Sequence, residues 1–354
     1  PKGIGSMYVH HQLYHEDIAY LTQLPIDWTR IDGKTFFITG ASGLIGTVLV
    51  DTLMERNRRE NACIKIYAVG RSLERAQERF GEYMHRPEFE FIQADINLCI
   101  DLQERADYVL HCASNTHPRA YAEDPIGTIL TNVLGTRYVL QYAAENHCER
   151  VLFLSSVEIY GENFGEAPFR EEDCGFIDCN TLRAGYPEGK RVGEALCQAY
   201  RVQYGVDVVI PRICRVYGPT MLSSDSKALA QFLRNAVKRE DIVLKSEGMQ
   251  YFSYCYAVDA AAALLYLLLY GENGEAYNVA AEGSNIRLRD LAQMLAELAG
   301  TRVIFALPDA AEQAGFSKAA TAVLHAEKLK RLHWQSRYPL SEGLRRTIDI
   351  LERG

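Results

Sequence analysis

Three regularly spaced glycines follow a short apolar run near the start of the chain, and they constrain the fold more than any other feature. Residues 35–39 (TFFIT) predict a buried strand, residues 44–56 have helical apolar spacing, and Gly40, Gly43 and Gly46 lie between them. The first glycine permits a tight turn, and the third lets the helix pack close to the sheet. This order is the beginning of a βαβ unit, and it predicts a parallel sheet covered by helices.

The same alternation of strand and helix continues along the chain. Further strands are predicted at 64–69, 89–93, 108–111, 151–154 and 206–210, and further helices at 73–84, 125–146 and 186–204. Strands separated by helices of this length are typical of an α/β fold with a doubly wound parallel sheet. The alternation ends after Gly218, and helices predicted at 287–299 and 341–352 indicate a smaller C-terminal lobe.

The composition restricts the partners of such a fold. The chain has 354 residues, a net charge of −8 and no basic stripe, so we expect no nucleic-acid partner. The longest apolar run, at 260–270, is too short to cross a bilayer, so we expect a core helix there and no membrane partner. The nine cysteines include no CxxC pair, which predicts free thiols, no metal site and a cytoplasmic location. An anionic ligand would need a local basic pocket.

The glycine turn is suited to bind phosphate. The second glycine lets the backbone approach a pyrophosphate, and the helix that follows offers unpaired N–H groups and the positive end of its dipole. We therefore predict a dinucleotide-binding turn that consists of Gly40, Ser42, Gly43, Leu44, Ile45 and Gly46.

The next strands would complete the dinucleotide site at their carboxyl ends. The second strand leads into Gly70, Arg71 and Ser72, without the acidic residue that would bind a free ribose 2′-hydroxyl. Because Arg71 could pair with a 2′-phosphate, the sequence favours NADP and leaves NAD as the alternative. Asp95 and Ile96 are expected beside the adenine, although Asp95 could instead be an N-cap. Small residues follow the fourth strand, where the backbone would pass close to the cofactor: Cys112, Ala113 and Ser114.

These predictions give a Rossmann-type doubly wound parallel sheet with a smaller C-terminal substrate lobe. Residues 33–212 are assigned to the dinucleotide-binding domain, to which residues 250–270 return. Residues 213–249 and 271–354 are assigned to the substrate-binding lobe. The remaining ranges are interpreted as an N-terminal extension and an expression remnant: residues 7–32 and 1–6.

A tyrosine and a lysine stand at the start of the helix predicted at 186–204. Their spacing puts Tyr186 and Lys190 on one helix face, where the ammonium group would lower the pKa of the tyrosine. A phenolate there can take a hydroxyl proton while a hydride leaves the same carbon. Ser156, after the fifth strand, would hydrogen-bond the same oxygen, and Asn132 is a candidate for an indirect role. The alternative for the YxxxK pair is an ordinary pair on the surface of a helix.

Jointly, these motifs resemble the extended short-chain dehydrogenases/reductases of the NAD-dependent epimerase/dehydratase family. The resemblance rests on TGASGLIG (39–46), HCAS (111–114), DPIGTILTNVLGT (124–136), SSVEIYG (155–161), YPEGK (186–190), RVYGP (215–219) and GEAYNV (274–279). It implies a Rossmann domain, a substrate lobe and a homodimer built from two long helices of each subunit. It also implies a sugar-nucleotide substrate whose C4 is oxidised transiently before epimerisation, dehydration or decarboxylation.

Glu158 bears on the choice among these reactions. In the similar 4,6-dehydratases and decarboxylases a glutamate stands two residues after the catalytic serine, where it could abstract the C5 proton of a 4-keto sugar. The dehydratases that act on dTDP-glucose carry an aspartate just before it, whereas this chain has Val157. The resemblance implies four catalytic residues: Ser156, Glu158, Tyr186 and Lys190.

The substrate end departs from the family pattern. Phe252 stands where the family has an arginine that grips the substrate and is important to catalysis in the decarboxylases. Arg215 stands where the family often has asparagine, and Arg212, Arg215 or Lys245 could compensate for the missing cation. We expect Thr116 and Arg215 to bind the substrate.

We therefore predict an NAD(P)-dependent sugar-nucleotide enzyme with a lyase outcome, either 4,6-dehydration or decarboxylation. One alternative is an NDP-sugar 4-epimerase. Another is a reductase that consumes NADPH on a keto sugar or another carbonyl compound.

Overall fold

The computed structural model describes residues 7–98, 104–114, 116, 121, 123–162, 165, 167–306 and 320–353. Its strands are β1 (Thr35–Thr39), β2 (Lys65–Gly70), β3 (Phe89–Gln93), β4 (Tyr108–His111), β5 (Arg150–Phe153), β6 (Ser155–Ser156), β7 (Val208–Ile213), β8 (Arg215–Tyr217), β9 (Ile242–Leu244), β10 (Tyr251–Phe252), β11 (Tyr254–Tyr256), β12 (Ala276–Val279), β13 (Ile286–Arg287), β14 (Val303–Phe305) and β15 (Thr321–Ala322). Its helices are α1 (Gln12–Thr22), α2 (Leu44–Glu60), α3 (Leu73–Phe80), α4 (Pro125–Leu130), α5 (Thr136–Glu145), α6 (Gly185–Tyr204), α7 (Ala228–Val237), α8 (Ala257–Tyr270), α9 (Leu288–Ala299), α10 (Glu327–Lys330) and α11 (Leu340–Arg353).

A parallel sheet with the strand order β3-β2-β1-β4-β5-β7-β12 forms the centre of the molecule, and β6 pairs with β7 off this path. The apolar runs of β1, β2 and β4 are almost entirely buried, as expected for strands covered by helices on both faces. The strand order reverses between β1 and β4, and a crevice opens outside their carboxyl ends at such a point. The predicted doubly wound fold is confirmed.

One predicted helix is divided in the structure. The helix predicted at 125–146 is interrupted by a π-helical turn, Thr131–Gly135, between α4 and α5. Asn132 lies in this turn, and a Cβ atom added at Gly189 of α6 would lie 2.9 Å from the Asn132 Cβ atom. The irregular turn therefore lies where the chain between α4 and α5 approaches α6 closely. Such π-helical turns are frequent at functional sites.

β12 corrects one assigned boundary. Its residues pair in parallel with β7 at the edge of the central sheet, although the sequence assigned 271–354 to the substrate lobe. The reason is that Tyr277, Asn278 and Val279 are buried, and Asn278 anchors the strand through a hydrogen bond from the Tyr160 hydroxyl. The smaller sheets, β13-β10-β15, β8-β11 and β9-β14, lie outside the central sheet.

The N-terminal extension packs on the body of the protein. The buried carboxylate of Asp17 in α1 accepts hydrogen bonds from Tyr256, Tyr338 and Arg346 at 2.7–2.8 Å. These partners come from β11 and the C-terminal region, so α1 links two distant parts of the chain. Burial still raises the pKa of Asp17, because three donors offset only part of the cost of removing the carboxylate from water.

The apolar run at 260–270 lies within α8, whose side chains are buried up to Leu269. Within the described residues, no helix combines the length and the apolar character that a bilayer crossing requires. The eight cysteines of the described residues are free thiols.

Candidate active site

The site begins where the backbone at the end of β1 passes the segment after β4. Gly40 has φ +66°, and a Cβ atom there would lie 2.7 Å from the Ala113 Cα and N atoms. At Gly46 a Cβ atom would lie 2.5 Å from the Gly40 carbonyl oxygen. Any side chain at these two positions would therefore displace the backbone. At Gly40 the positive φ is a second reason, because other residues rarely adopt it.

The first turn of α2 faces the same crevice. Gly43 is the N-cap, and no side chain caps the helix. The N–H groups of the first turn of a helix have no partner within the helix and bind anions well. Gly40, Gly43, Leu44, Ile45 and Gly46 all line one large cavity. A cradle that a Cβ atom would fill, beside an uncapped helix N-terminus, fits the pyrophosphate of a dinucleotide.

Other predicted cofactor residues lie outside the cavity lining. The Ser72 hydroxyl accepts a hydrogen bond from the Arg75 N–H at 3.1 Å and so caps α3. Asp95 accepts from the Asn97 N–H at 2.9 Å, within a turn that no described helix follows directly. Ile96 is buried against Gly135. The remaining predicted residues that do not line the cavity are Ser42, Arg71 and Ala113.

The structure brings Ser156 and Tyr186 together. Tyr186 is buried, and burial raises its pKa to about 12. A hydrogen bond with Ser156 and the charge of Arg183 act in the opposite direction, while the Glu158 carboxylate adds to the rise. The neighbouring Ser155 instead donates to Glu194, so the structure separates the roles of the two adjacent serines.

Lys190 is placed differently from the expectation. Its ammonium group donates to the Leu154 carbonyl at 2.6 Å and lies 4.9 Å from the centre of the Phe153 ring. Burial lowers the pKa of Lys190 to about 8. The groups that lower the pKa of Tyr186 here are Ser156 and Arg183, and Lys190 is held at the carboxyl end of β5 instead.

Glu158 lies between two arginines. One carboxylate oxygen accepts a hydrogen bond from Arg183 Nη2 at 2.7 Å, and the other lies 3.7 Å from Arg215 Nη2. Arg183 also lies 4.7 Å from the centre of the Tyr121 ring, and Tyr121 stacks on Tyr186 with 5.1 Å between centroids. An unbroken series of contacts thus joins the predicted base to the Glu158 ion-pair cluster.

The structure places the three basic candidates for the substrate end in different surroundings. Arg215 lies over the Phe252 ring, with its Cζ atom 3.4 Å from the centroid, and both residues line the cavity. Lys245 also lines it. Arg212 is bound to Glu194 at 2.7 Å and is absent from the described cavity lining, so it does not compensate for Phe252 there.

The cavity has a volume of about 870 Å³, which is ample for a large ligand. Its described lining carries five basic side chains, Arg183, Lys190, Arg215, Lys227 and Lys245, against three acidic ones, Glu123, Glu158 and Asp225. The local excess of two positive charges is opposite in sign to the net charge of −8 for the whole chain. It provides the basic pocket that an anionic substrate requires.

Thr116, Cys112 and Ser114 also line the cavity, as predicted from sequence. Ser114 donates to the Asn132 side-chain oxygen at 2.9 Å, so Asn132 contacts a residue of the cavity lining. Two residues that follow Thr116 along the chain, His117 and Arg119, lie outside the described residues.

Sequence reasoning missed Arg183, Tyr121 and Gln250. Arg183 had a usable signal, because it stands three residues before Tyr186 at the entry to α6. Tyr121 and Gln250 had none, since only the tertiary fold brings them to the cavity.

Comparisons with known proteins identify the family of this chain. The family model described as "NAD dependent epimerase/dehydratase family" matches residues 36–280. This chain belongs to that family. It is 32% identical to UDP-glucuronic acid decarboxylase 3 of Arabidopsis thaliana over 67% of both chains. It is 29% identical to UDP-glucuronic acid decarboxylase 1 of Danio rerio over 91% of this chain and 73% of that protein.

Solved structures of the epimerase/dehydratase fold are also similar. A dTDP-glucose 4,6-dehydratase from Streptomyces venezuelae, solved with NAD, superposes with a TM-score of 0.77 at 22% identity, covering 89% of this chain and 96% of that one. A UDP-glucuronic acid 4-epimerase from Bacillus cereus, also with NAD, has a TM-score of 0.75 at 21% identity, covering 90% and 99%. NAD is the cofactor of this epimerase/dehydratase family, whereas Arg71 alone had favoured NADP.

Gly40→Ala should reduce NAD binding strongly and destabilise the fold, because the new Cβ atom must displace the backbone near Ala113. Gly33→Ala is a matched control, because Gly33 has φ +76° but no atom within 4 Å of its added Cβ atom. It should cost about 1–2 kcal/mol, from the left-handed backbone alone, and leave NAD binding intact. Urea unfolding and NAD titration measure both effects; equal stability losses with unchanged NAD affinity would contradict the assignment.

Proposed function

We propose that this protein transiently oxidises C4 of a sugar nucleotide with bound NAD, and that a UDP-linked hexuronic acid is decarboxylated in the process. The observation that carries the proposal is the Ser156–Tyr186 pair, set beside the Arg183–Glu158–Arg215 cluster in the cavity that the glycine turn also lines. The named decarboxylase relatives support the substrate class.

Tyr186, in its phenolate form, is proposed to take the proton of the C4 hydroxyl group, with Ser156 hydrogen-bonded to the same oxygen. The Ser156 hydrogen bond and the Arg183 charge stabilise this phenolate against the cost of burial. NAD, when bound, supplies the acceptor that takes a hydride from C4 and later returns it. Lys190, held by the Leu154 carbonyl, is proposed to bind the nicotinamide ribose. The pyrophosphate would lie on the turn from Gly40 to Gly46, with Arg71, Ser72, Asp95 and Ile96 toward the adenosine end.

Decarboxylation then follows from the chemistry of the oxidised sugar. A C4 ketone is β to the C6 carboxylate, so the C5–C6 bond breaks with its electron pair delocalised toward O4, and carbon dioxide leaves. A proton added at C5 restores the ketone. Return of the hydride to C4 and of the proton from Tyr186 to O4 completes the turnover.

Val157 favours decarboxylation over 4,6-dehydration. Expulsion of a hydroxyl group needs an acid to protonate it, and the residue before Glu158 is a buried valine. Carbon dioxide needs no such acid. A 4-epimerase is the second candidate, because both oxygens of Glu158 face arginines, and epimerisation at C4 needs no base at C5.

We also propose that residues 213–249 and 271–354, without β12, supply the substrate-binding lobe. Met221, Lys227 and Lys245 from the first of these ranges line the same cavity as the glycine turn. Thr116 and Arg215 are proposed to contact the substrate there.

Incubation with UDP-glucuronic acid and catalytic NAD should yield a product lighter by one carbon dioxide, detected by mass spectrometry. Tyr186→Phe should lower turnover by about 10²- to 10⁴-fold, because it removes the acid/base group. Tyr200→Phe is the control, since it removes a hydroxyl group on the same helix whose partner among the described residues is Gln141. An isomer of unchanged mass would favour the epimerase, and full activity of Tyr186→Phe would exclude the mechanism.

We further propose a homodimer formed through α4 and α6. Gly185, at the start of α6, packs against Ile129 of α4, and several large apolar side chains around these helices are exposed: Ile126, Ile129, Leu130, Leu182 and Val192. Such a patch is typical of an interface. Sedimentation velocity should give a dimer for the wild type.

Ile126→Lys should shift this dimer toward monomer, because a charge would be buried at the interface. Phe305→Lys is the matched control, because Phe305 is 67% exposed and Ile126 71%, yet Phe305 lies in β14, far along the chain from both helices. A monomeric wild type, or equal effects of the two variants, would refute this interface.

A further inference from the structure

Arg215 and Phe252 are in direct contact across the substrate end of the cavity. β8 and β11 pair in parallel with Arg215 opposite Tyr254, and Phe252 ends the strand just before β11. The register therefore brings the guanidinium group onto the Phe252 ring, 3.4 Å from its centroid. An aromatic face attracts a cation and holds the guanidinium plane while its N–H edge stays available.

The cluster around Glu158 contains more donors than it uses. Glu158 forms its hydrogen bond with Arg183 at 2.7 Å, while Arg215 Nη2 is 3.7 Å from the other oxygen, which is an ion pair without a hydrogen bond. Arg183 Nε and Nη1 and Arg215 Nη1 are buried without a hydrogen-bond partner among the described residues. Two guanidinium groups thus face one carboxylate, which leaves one positive charge and several donors.

A purely structural ion pair explains this arrangement less well. A salt bridge built for stability would satisfy its donors, because buried unpaired N–H groups oppose folding. Arg183 alone already gives Glu158 a hydrogen-bonded cation. The second arginine in the cavity lining therefore indicates an acceptor that enters with a ligand.

We propose that Arg215, held on Phe252, binds the carboxylate of the hexuronic acid and selects uronate over neutral hexose. This rests on the proposed function. Arg215 is the ion-pair partner of Glu158, whose other oxygen accepts a hydrogen bond from Arg183. Arg183 lies over Tyr121, which stacks on Tyr186, so a series of contacts joins Arg215 to the group that meets C4. The carboxylate on C5 is adjacent to C4, whereas the diphosphate is attached at C1.

The proposal explains why this chain departs from the family pattern at both Phe252 and Arg215. The family arginine is replaced by Phe252, and the family asparagine by Arg215. Because the two side chains touch, the cation stays beside the position of the family arginine but is carried by β8 instead of β10. A planar guanidinium can then bind a carboxylate through two parallel hydrogen bonds.

The test is calorimetric titration of NAD-loaded enzyme in a Tyr186→Phe background, which prevents turnover. The three ligands are UDP-glucuronic acid, UDP-glucose and UDP. Arg215→Asn should weaken UDP-glucuronic acid binding at least about tenfold, the loss typical of a charged hydrogen bond, and change the other two little. Arg215→Lys should recover part of the affinity, because it keeps the charge without the planar donor pair.

Arg287→Asn is the matched control. Arg287 also lies over an aromatic ring, 5.5 Å from the centroid of Tyr251, the residue before Phe252. Arg287 is absent from the described cavity lining, so its replacement should change the affinity for none of the three ligands. Equal weakening of all three ligands by Arg215→Asn would assign Arg215 to the diphosphate and overturn the proposal. No weakening of any ligand would overturn it as well and leave Arg215 as a structural partner of Glu158.

The outcomes also separate this proposal from the proposed function. Selective loss of UDP-glucuronic acid affinity in an enzyme that releases no carbon dioxide would support Arg215 and refute decarboxylation. Decarboxylation by the wild type, together with unchanged UDP-glucuronic acid affinity in Arg215→Asn, would support the proposed function and refute the role of Arg215.

Discussion

The close approach of the backbone at Gly40 to Ala113 positions almost everything else in the site. It occurs where the strand order of the central sheet reverses, so the carboxyl ends of β1 and β4 open into one crevice. The uncapped N-terminus of α2 then faces the segment after β5 that carries Ser156. A side chain at Gly40 would push these parts apart, because its Cβ atom would lie 2.7 Å from the backbone of Ala113, which closely follows β4.

The charge of the residues that line this crevice is opposite in sign to the net charge of the whole protein. The chain is acidic overall, yet the described cavity lining has an excess of basic groups. Burial makes these few charges effective, since a buried charge interacts more strongly than one in water. The Glu158 cluster also connects the two ends of the site, because Arg183 acts on Tyr186 and Arg215 lies over Phe252.

The sequence predicted those parts of the site that depend on local patterns. Glycine spacing predicted the turn, and the YxxxK spacing predicted that Tyr186 and Lys190 share a helix. The sequence did not predict that the cation acting on Tyr186 is Arg183, or that Lys190 donates to Leu154, because both depend on how α6 packs against β5. Arg215 and Phe252 each depart from the family pattern, and the sequence shows these two departures separately. Their contact depends on strand register, so the sequence alone does not reveal it.

The central claim is that a hydride leaves C4 and returns to it within one turnover, while Tyr186 holds the proton. The most direct measurement is the reaction of UDP-glucuronic acid deuterated at C4, in heavy water, with the product examined by NMR and mass spectrometry. The account predicts that the C4 deuterium is retained and that one solvent deuterium appears at C5. Loss of the C4 label to solvent, or a product without solvent deuterium at C5, would contradict it.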